Sequence, residues 1–316
     1  MATTLNNMID EVSMNLSGYT LTQDRSTYLK TAVTTTTSSS ASPTSLSLGS
    51  TDNVGKGIVE IDEELMWIDT YDRVGNTATV APYGRGYLGT TAATHNADAK
   101  VTISPTFPRF TIKRAINDTV NALGASIFAA ATTTITSNAA VAAFRLPATG
   151  DSLNIRNVLA VAYQSIGASK EWIPIRSWRL DNNANTTAFS TGQTISIYDR
   201  VPSGRTIQIV YSKDPTPFAE LATITLTGAQ DFATQTGLPE SCKDLTILGA
   251  TYRLLTNLDP ARASMVSPQA DETDSKRPYG SSQSLTKSIY VLYSQRLDEE
   301  IKKQQDKYPI RVHYSL

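Results

Sequence analysis

Cysteine is almost missing from this chain. Cys242 is the single one in 316 residues, which excludes an intrachain disulfide and any Cys-x-x-Cys metal site. Its place on an apolar helix reads as a small buried hydrophobe. Histidine is nearly as scarce, with His95 and His313 alone. Neither stands beside a serine or cysteine in a nucleophile elbow, so triad chemistry has no footing, and zinc held by His and Cys is nearly excluded. Long hydrophobic runs are lacking too. No stretch of about 18 apolar residues occurs, and no basic segment followed by an apolar core opens the sequence, so neither a membrane span nor a cleaved signal is expected. Charge is sparse at 18% Asp, Glu, Lys and Arg, with a formal net of −1. That balance offers no general field for nucleic acid and no polybasic membrane patch.

Threonine, serine, alanine and asparagine take the place of the missing charge, giving a hydroxyl-rich surface suited to packing against neighbours. The pattern they sit in alternates between helix and strand. Leu5, Ile9, Val12 and Leu16 fall on one helical stripe, with Thr3 or Thr4 as cap and Gly18 as close. A Ser/Thr tract from Thr31 to Gly57 reads as a linker with one edge strand, opening a small β unit that runs to about residue 104. Ile112, Ile116, Val120, Leu123 and Ile127 mark a second helix, whose other face, Lys113, Asn117 and Asp118, predicts one-sided packing. Four runs with period two follow, "SLNIRNVLAVAYQ", "EWIPIRSWRLD", "TISIYDR" and "TIQIVYSKDP". Within the second, Trp172 and Trp178 share a face of one continuous strand, with Pro174 arguing for an edge or bulge.

Two further helices close the pattern. Leu245, Leu248, Tyr252 and Leu255 form one stripe, and Leu285, Ile289, Tyr293, Leu297 and Ile301 form the other, with Asp298–Lys302 and Glu299–Lys303 as exposed pairs and "DEE" at 298–300 on a solvated face. The expected fold class is α+β: a small helical bundle of N-terminal, central and two C-terminal helices, with an inserted β unit and an antiparallel β-sandwich-like domain. The expected divisions are 1–30 (first helix), 31–104 (β unit), 105–133 (central helix), 134–236 (β domain), 237–307 (C-terminal helices) and 308–316 (extended tail).

Two places concentrate residues of chemical interest. In "EIDEE", Glu60, Asp62 and Glu64 alternate along a strand and could line one side of a cation or glycoside-directed site. In "APYGRGYLGTTAATHNADAKV", Gly84, Gly86 and Gly89 spell G-x-G-x-x-G, the pattern of a phosphate cradle. A cradle needs a helix opening after its last glycine, and none is signalled here. A structural β corner made by Gly84, Arg85, Gly86, Gly89, Thr90 and His95 is the expected reading.

The penultimate helix carries Ala250, Tyr252, Arg253, Leu254 and Leu255 as "AxYRLL", and the last runs "YSQRLDEEIKKQQDKYPIRVHYSL". With the β interruptions, this layout resembles the head-to-tail connectors (adaptors) of tailed bacteriophages. The segment "GRGYLGTTAATHNADAKV" is similar to a Gly-Arg-x-x-x-Gly-Thr-x-Ala-x-x-His turn of phage neck and tail proteins. The specific motifs cover residues 84–101 and 245–314. Two β domains exceed the minimal, mostly helical adaptors, which leaves another neck or tail role open.

The resemblance implies a non-enzymatic virion protein of the neck, made in the host cytoplasm and needing no cofactor. It implies a homo-oligomeric ring, commonly of twelve copies, between the portal protein and tail or further neck proteins, touching genomic DNA non-specifically in its channel and no membrane. A host-adhesion protein with a carbohydrate-binding β domain is the alternative, carried by Trp172 and Trp178. In the tail, Tyr308, Pro309, Ile310, Arg311, Val312, His313 and Tyr314 are the expected partner-binding residues. Ile310, Val312 and Tyr314 alternate with Arg311 and His313, as a strand added to a sheet edge or groove of a neighbouring subunit or the portal would.

Overall fold

The computed structural model describes residues 3–18, 24–36, 44–138, 140–146, 155–166, 170–220, 224–256 and 281–309. Among these, the helices are α1 (Leu5–Ser17), α2 (Arg109–Leu123), the short α3 (Ile224–Gly228) and α4 (Phe232–Thr236), α5 (Lys243–Thr256) and α6 (Ser281–Lys307). With antiparallel sheets throughout, the protein is α+β. The chain divides into two compact units. One comprises Met1–Thr119, Phe218–Asp231 and Lys243–Ser294, the other Val120–Pro217, Phe232–Cys242 and Gln295–Leu316. No helix among the described residues is long and apolar enough to cross a membrane.

In the first unit, the Thr4 hydroxyl accepts the Asn7 amide at 3.3 Å and so caps α1. Leu5, Met8, Ile9, Val12 and Leu16 are all buried, each contributing about 1.5–3 kcal/mol of transfer free energy. Helix α1 packs on α5, reinforced by a Lys243–Glu11 ion pair at 2.9 Å. Helices α5 and α2 approach closely: a Cβ at Gly249 would lie 2.3 Å from the Thr119 methyl, so only glycine fits. Tyr252 of α5 stacks within 5.6 Å of Tyr290 and 5.5 Å of Tyr293 on α6.

Among the described residues the same unit holds six strands: β1 (Arg25–Tyr28), β2 (Ser45–Ser47), β3 (Gly57–Ile61), β4 (Glu64–Asp72), β5 (Thr77–Val80) and β6 (Lys100–Ile103). They form one sheet in the order β1-β6-β3-β4-β5-β2. Its core gathers Leu29, Leu46, Leu48, Val59, Ile61, Met66, Ile68 and Val101 among others.

In the second unit, β7 (Ala129–Thr136), β9 (Ile155–Gln164), β10 (Trp172–Pro174) and β13 (Thr206–Lys213) form a sheet ordered β10-β9-β13-β7, while β8 (Ala143–Arg145), β11 (Trp178–Asp181) and β12 (Thr194–Ile197) form another, ordered β11-β12-β8. Val161, Ile207 and Ile209 of the first meet Ile195 and Leu180 of the second in one core.

Several expectations need correction. The β unit starts earlier than residue 31, because β1 at Arg25–Tyr28 pairs with β6. The central helix ends at Leu123 and leaves Ile127, though buried, outside it. The β domain therefore opens at Ala129, before residue 134, and its last strand ends at Lys213, while α3 and α4 lie between that strand and residue 236. Trp172 and Trp178 do not share a strand: β10 ends at Pro174, and the two belong to different sheets. Trp178 packs against the core while Trp172 is 42% exposed.

The polar face of α2 is not simply solvated. Lys113 is buried between Glu63 and Glu220, and Asn117 exchanges two hydrogen bonds with the Phe218 backbone. On α6, Glu300 is buried, accepting from Ser241 at 2.8 Å and Lys303 at 2.6 Å. Glu299 pairs with Arg296 rather than Lys303.

Candidate functional site: an acidic turn and a glycine-rich corner

The residues "EIDEE" do not lie on one strand. Strand β3 stops at Ile61, β4 starts at Glu64, and these two are paired, so Asp62 and Glu63 form a two-residue turn with Asp62 at φ +57°. Chain reversal takes Glu60, Asp62 and Glu64 off a single strand, which overturns the expectation of one alternating acidic face. Glu60 accepts the Arg109 amide at 2.5 Å, at the start of α2. Asp62 meets His95, Glu63 meets Lys113, and Glu64 meets Arg85 and His95. Among the described residues no group of His, Cys, Asp and Glu is placed to hold a metal ion.

Glu64 is the centre of the corner. Its side chain has no exposed surface, and five hydrogen bonds converge on it. One oxygen accepts Arg85 Nε at 2.6 Å and the Gly86 amide at 2.9 Å. The other accepts Arg85 Nη2, the Ala93 amide and His95 Nε2, each at 2.9 Å. Burial pushes the Glu64 carboxyl up, but Arg85, His95 and the two amides outweigh it and bring the pKa down to about 2.

Arg85, itself buried, has further acceptors in the Thr35 carbonyl at 2.9 Å and the Ala93 carbonyl at 2.6 Å. His95 presents Nδ1 to Asp62 at 2.7 Å and Nε2 to Glu64. Burial disfavours its charge, yet the two carboxylates outweigh burial and hold its pKa above 6.5. An imidazolium donating through both nitrogens fits this pair of acceptors. Backbone bonds between Val33 and His95, 2.8 and 2.9 Å, add the segment before β2 to the corner.

The glycines serve backbone approach. A Cβ at Gly84 would stand 2.8 Å from the Ala81 carbonyl oxygen and 2.9 Å from that of Trp67. Gly86 has φ +62°, which aims its amide at Glu64. Gly89, also at positive φ, closes the short turn Tyr87–Gly89, after which the chain goes extended at Thr90 instead of opening a helix. Thr90 then accepts the Leu65 amide at 3.1 Å and donates to the Tyr87 carbonyl. This loop does cradle an anion, and the anion is the protein's own Glu64.

Of the residues expected at the corner, Gly84, Arg85, Gly86, Thr90 and His95 converge, with Gly89 completing the turn beside them. The sequence reading missed Glu64, Asp62 and Thr35 as their partners. Of the expected docking residues, Tyr308 stacks on Phe128 with ring centroids 5.7 Å apart, and Pro309 is exposed. Ile310, Arg311, Val312, His313 and Tyr314 lie outside the described residues. No family model matches the chain, and no curated protein matches it.

Cys242 sits directly before α5, buried, with its thiol pushed up to about 12 by burial and by the Glu300 charge. A thiol so held is a poor nucleophile.

Proposed function

We propose that this protein is a structural part of a tailed-phage virion, a head-to-tail connector that forms a ring between portal and tail around the DNA path. The observation that supports this reading is the corner at residues 84–95. It carries the Gly-Arg-x-x-x-Gly-Thr-x-Ala-x-x-His turn by which the sequence resembles neck and tail proteins, and its charged groups are taken up by one another and by the backbone. Such an arrangement braces a fold and leaves little for substrate chemistry, so the role is non-enzymatic and needs no cofactor.

Contacts of α5 with α1, α2 and α6 accord with a helical bundle as the body of each subunit. The ring is closed and homo-oligomeric, and portal and tail or other neck proteins are its partners. Electron microscopy of virions, with this chain located by antibody or by density, tests the proposal. A ring at the neck is the expected result, and isolated copies on the outer capsid would overturn it.

A further inference from the structure

Strand β7 leaves one side of its sheet open. Among the described residues it pairs with β13 alone, over eight positions with no shift in register. The other edge strands of the second unit are shorter: β8 and β10 have three residues each and β11 has four, and β10 carries Pro174. The sequence of β7, "AAATTTIT", contains no charge and no proline, the devices that keep sheet edges from acquiring new strands.

The groups on the open side follow from the hydrogen bonds of Ser137. Its amide donates to the Arg205 carbonyl at 2.7 Å and its carbonyl accepts from Gly204 at 2.8 Å, so residue 137 faces β13. Alternation then turns the amides and carbonyls of Ala130, Thr132, Thr134 and Thr136 outward. Both ends of this open stretch are closed. At Phe128 the amide donates to Gln304 Oε1 at 3.2 Å and the carbonyl accepts from Gln304 Nε2 at 2.6 Å. At Asn138 the carbonyl accepts the Val141 amide and the side chain accepts the Ala140 amide, each at 3.0 Å, as the chain turns away.

Phe128 and Asn138 lie equally far from Thr133 along the chain. The open stretch is therefore symmetric about that residue, and a second β7, running antiparallel, fills it completely when the two Thr133 residues stand opposite each other. Ala130 then meets Thr136 of the second copy and Thr132 meets its Thr134, and the same pairs recur across the axis. About eight hydrogen bonds result, and none of the outward groups is left over. Thr132 and Thr134 become cross-strand neighbours on one face, as Ala131 and Ile135 do on the other. A self-contact sets any charge near its own sign, and β7 has none to repel.

We propose that two copies of this protein join in solution through β7, antiparallel about a two-fold axis at Thr133, making one continuous sheet of their four-stranded sheets. This goes beyond the connector reading, because a two-fold contact uses the same patch on both copies whereas the contacts of a cyclic ring use two different ones.

Cysteine cross-linking of the full-length protein tests it. Thr133→Cys should close a disulfide between copies under mild oxidation, since the opposed Cα atoms of such a non-hydrogen-bonded pair stand about 4.5 Å apart. The native Cys242 is buried and stays silent. Ala131→Cys and Ile135→Cys should each run as monomers on a non-reducing gel and should cross-link when mixed. Thr134→Pro removes an outward amide and spares the bonds to β13. It should weaken self-association about tenfold or more in sedimentation, with the exchange protection of the Ala131 and Ile135 amides kept as the sign of an intact fold. In the wild-type protein, the outward amides of Thr132, Thr134 and Thr136 should gain protection as concentration rises. Exchange of those amides that does not change with concentration would overturn the proposal, as would Ala131→Cys linking to itself as fast as Thr133→Cys does.

Discussion

Replacing Glu64 by glutamine changes one atom of the corner and should unsettle the whole of it. The carboxylate accepts five hydrogen bonds from donors on both of its oxygens. Glutamine keeps one acceptor and sets an NH2 against either Arg85 Nε and the Gly86 amide or Arg85 Nη2, the Ala93 amide and His95. Two lines of reasoning give the magnitude. Lowering the carboxyl from 4.5 to about 2 corresponds to about 3 kcal/mol. Removing one partner of a buried ion pair costs about 3–5 kcal/mol, since the remaining charge stays buried.

Substituting the pair by apolar residues would not recover this loss, because the Gly86 and Ala93 amides would be stranded at about 1–3 kcal/mol each. Urea unfolding read by Trp67, which lies 5.4 Å from Tyr87 in the same corner, measures the effect in a background with Trp172 and Trp178 changed to phenylalanine. Glu64→Gln should lose about 3–5 kcal/mol at pH 7 without a change of slope. The sign with pH is also fixed. A depressed carboxyl contributes fully above its unfolded value near 4.5 and loses that contribution as pH falls towards 2, so the gap between the two proteins should narrow over that range. A loss under about 1 kcal/mol at pH 7 would refute the reasoning.

Glu60 should behave in the opposite sense. Burial holds its carboxyl up at about 7, against the lowering effect of the Arg109 amide, so its contribution is present below pH 4.5 and lost as pH rises to 7. Glu60→Gln, whose carbonyl still accepts from Arg109, should equal wild type near pH 4.5 and exceed it by up to about 3 kcal/mol at pH 8. Equal differences at both pH values would contradict this. Gly86→Ala should destabilise more than Gly89→Ala in thermal unfolding. Both bear the left-handed strain of about 1–2 kcal/mol, but only at Gly86 would the new Cβ press on the Thr90 carbonyl, at 2.7 Å. DNA binding, measured by filter retention against salt, should be weak and independent of sequence, in keeping with a net charge of −1. Tight specific binding at physiological salt would contradict the connector proposal.

Helices α1, α2 and α5 were legible because a one-sided burial leaves a 3.6-residue stripe, as Leu5, Ile9, Val12 and Leu16 show. The corner residues from Gly84 to His95 were legible as a set, since glycines at such spacing need turns. Their partners were not. Glu64 and Arg85 are 21 residues apart, and Lys113 and Glu63 are 50 apart, so no local period links them. Alternation in "EIDEE" looks the same whether the chain continues or reverses at Asp62, and it reverses. Lys113 read as surface because a lysine is normally solvated, until two glutamates from elsewhere in the sequence supplied the compensation for burial. Strand β7 was overlooked because alanine and threonine give little contrast between faces.

The two-residue turn at Asp62 and Glu63 has a consequence for the order of folding. Four carboxylates are gathered within five positions, and the groups that answer them, the cations of residues 85, 95 and 113 and the Arg109 backbone amide, all come later in the sequence. Until those segments arrive, closing the β3–β4 hairpin brings like charges together with nothing to offset them. The hairpin should therefore be a late event, with its contacts largely absent from the rate-limiting transition state. Changes at this turn would then speed unfolding more than they slow folding, making the acidic turn a latch on the finished unit instead of a seed for it.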